Sequence, residues 1–129
     1  MSHHPKKKPI KILKKRSEFL RVAASNKSHV TKGMIVQNRV HTDLEKKLTK
    51  TRKIRLGFTV SKKVGKAVVR NRVKRRLKAL AQSVFQEKNI SDLDLVIIGR
   101  KNTVRRPFTK LREDMETVLE KINNTRSQK

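Results

Sequence analysis

Cysteine and tryptophan are absent from the 129 residues, tyrosine is absent too, and four phenylalanines are the whole aromatic complement. With no cysteine there is no disulfide, no thiolate nucleophile and no zinc site with sulfur ligands, which leaves four histidines as the soft ligands. This suits a reducing cytoplasm. Acidic side chains are scarce as well: 10 Asp and Glu stand against 36 Lys and Arg, a formal charge of +26. Self-repulsion on that scale is ordinarily relieved by a polyanion, and nucleic acid fits best. Long apolar runs are missing. Stretches such as Leu95 to Ile98 fall far short of the roughly 20 residues that a membrane span needs, and the start MSHHPKKK has no apolar segment behind its basic residues. No membrane partner, secretory signal or small-molecule substrate is indicated.

What is present is unevenly placed. Lys46 to Gln86 carries 15 basic residues and no acidic one, whereas Glu87 to Glu120 carries seven of each sign. Residues 1–16 add seven more cations. We read residues 1–9 as a flexible basic arm, 10–122 as a single domain and 123–129 as a frayed polar tail.

Hydrophobic spacing predicts the order α-β-β-α-β-α, an α+β domain with helices packed on a small, mostly antiparallel sheet. Ser17 is a candidate cap, with Glu18 in the first turn and Phe19, Leu20, Ala23 and Ala24 on one apolar side. Met34 to Val40 is β-branched without a helical stripe. Ile54, Leu56, Phe58 and Val60 alternate with Arg55, Gly57, Thr59 and Ser61, giving a strand with one apolar face and one face able to meet a ligand. Val69, Val73, Leu77, Leu80 and Val84 fall within an arc of about 80° on a helical wheel, and cations fill the remaining circumference. Leu93 to Ile98 reads as a strand buried on both faces and ended by Gly99, which makes it the expected central strand. Phe108, Leu111, Met115, Val118 and Ile122 mark a closing helix, with Pro107 at its first position. The second and third of these strands flank the basic helix and are candidates for parallel pairing, for which a right-handed crossover is the general expectation.

The sharpest signal is FTVSKKVGKAVVRNRVKRRLK, residues 58–78. A strand delivers Lys62 and Lys63 into a tight link at Gly65, and a helix follows with Lys66, Arg70, Asn71, Arg72, Lys74, Arg75 and Arg76. Arginine bridges two phosphate oxygens, and a helix N-terminus adds its own positive end. Asn71 offers both a donor and an acceptor for a base edge, a 2′-hydroxyl or a metal-bound water. A merely solvated face normally intersperses Glu with Lys, and here no carboxylate interrupts.

From Arg55-Leu56-Gly57-Phe58-Thr59-Val60-Ser61-Lys62-Lys63-Val64-Gly65 through Arg70-Asn71-Arg72 to Leu77, the sequence resembles the protein subunit of bacterial ribonuclease P. The likeness extends to Arg16-Ser17-Glu18-Phe19 and to Asp94-Leu95-Val96-Ile97-Ile98-Gly99-Arg100-Lys101. The resemblance implies an accessory role in a ribonucleoprotein whose RNA is catalytic and removes the 5′ leader of precursor tRNA with magnesium ions. The protein itself would supply no catalytic residue and bind no metal. Lys62, Lys63, Lys66, Arg70, Asn71, Arg72, Lys74, Arg75 and Arg76 would dock on the catalytic RNA. A cleft between the sheet and the first helix would hold the leader through Arg16, Phe19, Arg39, Arg55, Thr59 and Ser61. The family's β-α-β crossover is left-handed, which replaces the generic expectation.

Two departures are visible. Ala23 and Asn38 stand where many members carry aromatics, so stacking on the leader would be weaker and Arg16, Arg39 or Arg55 would compensate electrostatically. Residues 41–53 form a longer stretch than is typical. Phe19 carries two readings, a core aromatic in a short amphipathic helix or a ring that stacks on a base. A structural RNA-binding protein, such as a small ribosomal protein, accounts for the charge and size alone, and anionic lipid also attracts basic helices, although an apolar face of Val, Leu and Ala without Trp argues against insertion. His3 and His4, His29 and His41, and Asp92 with Asp94 lack the partners a metal site needs.

Overall fold

Residues 10–48, 54–87, 90 and 92–127 are described here in a computed structural model. Strand β1 (Ile10–Ile12) is followed by α1 (Arg16–Ala24), β2 (Ser28–Val30), β3 (Met34–Val40), α2 (Asp43–Leu48), β4 (Ile54–Val60), α3 (Ala67–Glu87), β5 (Leu93–Gly99) and α4 (Phe108–Ser127). One five-stranded sheet runs β1-β4-β5-β3-β2. Its centre is β5, which is buried on both faces and apolar apart from Asp94. It pairs in parallel with β4, so α3 is a β-α-β crossover, and antiparallel with β3. The pairs β1/β4 and β2/β3 are parallel and antiparallel respectively. The α+β class holds, but with parallel and antiparallel pairs in equal number the sheet is mixed, so the mostly antiparallel expectation is only roughly met.

The period-2 pattern of β4 divides the sheet into two unequal faces. Ile54, Leu56, Phe58 and Val60, with Met34 and Val36 of β3 and Leu93, Leu95 and Ile97 of β5, pack under Val73, Leu77, Leu80 and Val84 of α3 and Leu111, Met115, Val118 and Ile122 of α4. At about 25 cal/mol per Å² of apolar surface, this continuous layer is the main source of stability. On the opposite face, among the described residues, Leu13, Val22 and Val96 form a small buried cluster, with Phe19 and Ile98 half-buried against it. That thinly covered face is where a ligand can reach the sheet.

Helix α1 begins one residue ahead of the expected cap at Ser17. Glu18 makes the capping contact instead, its Oε1 accepting the backbone N–H groups of Lys14 at 3.2 Å and Lys15 at 3.0 Å. Val22 is the buried residue of α1, while Leu20 is exposed. Pro107 precedes α4, its carbonyl accepting the N–H groups of Lys110 and Leu111, and Phe108 is exposed. Burial in that helix begins at Leu111. Its helical backbone continues through the expected tail to Ser127, whereas the expected arm at residues 1–9 lies outside the described residues.

Candidate nucleic-acid interface

The strand-to-helix junction is set by Gly65. Its φ of 157° with ψ of −166° is a conformation open essentially to glycine alone, and a Cβ there would stand 3.2 Å from Val69. A short 3-10 turn over Lys62–Val64 precedes it. Lys62, Lys63, Lys66, Asn71, Arg72 and Arg75 are all exposed around the start of α3, while Arg70 and Lys74 are half-buried. The Nε of Arg70 is buried without a hydrogen-bond partner among the described residues.

Arg76 departs from this group. Its guanidinium donates to the carbonyls of Thr103, Val104 (3.1 Å) and Arg106 (2.6 Å). Three bonds to backbone oxygen leave little of the fork for phosphate, so its role is to hold the loop between β5 and α4 against α3.

On the thin side of the sheet, α1 lies directly over Gly57. A Cβ at this glycine would stand 2.6 Å from Cε1 and 2.8 Å from Cζ of Phe19, so the missing side chain is what lets the ring rest on the strand. Beside it opens a cleft of about 490 Å³ lined in part by Lys14, Arg16, Phe19, Leu20, Ala23, Gln37 and Thr59. Phe19 is half-buried against Leu13, Val22 and Val96, and its ring also forms a wall of the cleft. Thr59 lies opposite Ile98 in the register, and Ile98 lines a second hollow of about 370 Å³ with Ser61, Lys63, Arg100, Lys101 and Asn102. Ser61 belongs to this second hollow, nearer the basic helix. Arg100 and Lys101, which follow the strand-ending Gly99, were not singled out as site residues.

The other end of this face is occupied by an ion-pair cluster. The register sets Arg39 of β3 and Arg55 of β4 on either side of Asp94 of β5. Arg55 grips Asp94 with two bonds, Nε to Oδ1 at 2.6 Å and Nη2 to Oδ2 at 2.7 Å; Arg39 Nη1 lies 3.2 Å from Oδ2. His41 Nε2 is 2.7 Å from Oδ1. Burial alone would push the Asp94 carboxyl upward, but the contacts from His41 and Arg55 outweigh it and hold the group at about 2. Arg39 also forks onto Glu45 of α2, at 2.6 and 3.2 Å, and that bond is the main cause holding Glu45 at about 2. Arg55 lies 3.6 Å from both Glu18 and Glu45. The two arginines expected to meet a leader are thus engaged by carboxylates in the free chain. His41, without a partner by sequence spacing, finds one across the sheet.

Asn38 is also relocated. It shares the parity of Met34 and Val36, lies buried on the side facing α4, and lines a hollow with Val40, Ile122 and Thr125. Asn38 therefore does not line the α1 cleft, whereas Ala23 does. Among the described residues no three His, Asp or Glu side chains group to hold a metal ion, and no helix is long and apolar enough to cross a membrane.

A cleft with an aromatic wall, on the same sheet face as a second hollow that adjoins a helix start whose exposed side is cationic, defines a small α+β RNA-binding protein. The sequence model of the Ribonuclease P family matches residues 8–123, and the chain belongs to that family, as a protein component. It is 43% identical over 112 residues to the ribonuclease P protein component of Paramagnetospirillum magneticum, covering 85% of this chain and 80% of that one. The corresponding protein of Gluconacetobacter diazotrophicus is 41% identical, with 84% and 88% covered. Among solved structures, the RNase P protein from Thermotoga maritima superposes with a TM-score of 0.69 at 26% identity, covering 86% of this chain and 96% of that one. The Staphylococcus aureus protein gives 0.65 at 25%, with 84% and 92% covered. The family match leaves the ribosomal-protein alternative without support.

Proposed function

We propose that this chain works in the cytoplasm as the protein subunit of a ribonuclease P holoenzyme, binding its RNA subunit through the start of α3 and the 5′ leader of precursor tRNA through the α1 cleft. The observation that carries this reading is the shared sheet face, which runs from the Phe19 cleft through Thr59 and Ser61 to Lys63 and the α3 N-terminus. Lys62, Lys63, Lys66, Arg70, Asn71, Arg72, Lys74 and Arg75 neutralise phosphates of the folded RNA, and Arg76 positions the loop beside them. Phe19 offers its ring to an unpaired leader base, with Arg16 on the backbone and Thr59 and Ser61 as hydroxyl partners. Stacking of this kind tolerates any base, as a subunit serving many precursors requires.

The chain's part in catalysis is placement. Holding the leader beside the RNA subunit converts substrate capture into a largely preorganised event and lowers the repulsion between two polyanions. Magnesium, when bound, supplies charge neutralisation and an activated water at the scissile phosphodiester. On this reading its ligands come mainly from the RNA, as the family resemblance implies. Adding the chain to the RNA subunit at low magnesium is expected to stimulate leader removal, and the chain alone to cleave nothing. Absence of stimulation contradicts the proposal.

A further inference from the structure

Helix α2 has little apolar surface holding it to the rest of the fold. It has six residues, none of them buried, and its two leucines, Leu44 and Leu48, are 66% and 74% exposed. A helix that short is not stable on its own, and no apolar face holds it down. What ties it to the sheet is Glu45. The Thr42 side chain and backbone lock Glu45 in a reciprocal cap, with Thr42 N–H to Glu45 Oε1 at 3.0 Å and Glu45 N–H to Thr42 Oγ1 at 3.2 Å. The carboxylate so oriented meets both Nη atoms of Arg39 and approaches Arg55. Two-pronged pairing of a guanidinium with a carboxylate uses the same fork that pairs with a phosphate.

The location gives that fork a consequence. Arg39 is two residues along β3 from Gln37, which lines the α1 cleft, and Arg55 is two residues along β4 from Gly57, on which Phe19 rests. We propose that α2 is a strap across one end of the cleft: its Glu45 fills the Arg39 fork that an RNA phosphate would otherwise take, and a long leader must displace it. Exchanging a carboxylate for a phosphate there replaces one anion by another. Arg39 keeps its contact with Asp94, so the fork stays in place when Glu45 leaves. A leader that ends within the cleft never reaches the strap. The strap thus sets how far along the sheet a leader is gripped, a regulation that rests on the leader-binding reading above.

The test uses the reconstituted holoenzyme, with mature tRNA, a precursor whose short leader ends in the cleft, and one whose leader continues past it. Glu45→Gln removes the charge and keeps the shape. It is expected to tighten binding of the long-leader precursor by about threefold to fivefold, the range of a partly exposed ion pair, and to leave the short-leader precursor and mature tRNA unchanged. Unchanged short-leader binding also shows that the variant is folded. Equal changes for both precursors, or none, overturn the strap. Phe19→Ala separates the two levels: if it lowers preference for precursor while Glu45→Gln does nothing, the strap alone fails, and if it leaves that preference intact, the cleft reading fails and the strap with it.

Discussion

Replacing Asp94 by Asn keeps the volume of the side chain at the centre of the ion-pair cluster and removes its charge. Asp94 is 1% exposed and holds Arg55, Arg39 and His41 together across three strands. The difference between an ordinary 3.8 and about 2, at 1.36 kcal/mol per decade, corresponds to about 2 kcal/mol of stabilisation carried by the carboxylate charge. An amide adds a second cost, because its NH2 group faces arginine donors, and breaking a buried pair from one side brings the total to about 3 kcal/mol. For a domain of this size that is a fall in Tm of roughly 10 °C at neutral pH. The pH dependence has a definite sign. A carboxyl whose value is depressed in the folded state contributes its stability above about 4, and that contribution is lost as pH falls from about 4 toward about 2. Thermal unfolding followed by circular dichroism at a series of pH values should therefore show the Tm gap between wild type and Asp94→Asn widest at neutral pH and narrowing below pH 4. A gap under 2 °C at neutral pH, or one that stays constant on acidification, refutes the view of Asp94 as a charged keystone.

Three further outcomes follow from the same geometry. Arg72→Ala, at an exposed position on α3, should weaken binding of the RNA subunit and reduce the slope of log K against log salt by about one, measured by filter binding across a salt series. Phe19→Ala should reduce affinity for precursor tRNA while sparing mature tRNA, and an equal loss for both would make the ring a packing residue only. Gly57→Ala places a methyl group 2.6 Å from the Phe19 ring, so α1 must shift; a cost of about 1–3 kcal/mol in denaturant unfolding should accompany loss of precursor preference.

The parts of the fold legible in the sequence are those long enough to repeat a period. β4, α3, β5 and α4 each carry an uninterrupted stripe, and each is found where the stripe lies. β1 and β2 have three residues each, too few for alternation to register, and they exist because a neighbouring strand satisfies their backbone groups. The basic face of α3 was readable because charge needs no partner to be recognised. The ion-pair cluster was not, since Arg39, His41 and Arg55 meet Asp94 only through strand register, which local pattern does not encode. A sign of it was present nonetheless: an aspartate inside Leu93-Asp94-Leu95-Val96-Ile97-Ile98, on a central strand, must be paired. Arg76 lies among cations in the sequence, and its bonds to carbonyls of a loop 27 to 30 residues away are beyond the reach of local pattern. Asn38 shares the parity of Met34 and Val36 and so lies on the buried side of β3, a placement that strand alternation alone leaves open until one face is assigned.

The measurement that bears most directly on the account is leader cleavage by the reconstituted ribonucleoprotein at low magnesium. With the RNA subunit and this chain together, precursor tRNA should be cut at the 5′ end faster than with RNA alone, and Arg72→Ala should require more protein to reach the same rate. Cleavage that is no faster with the chain than without it contradicts the account.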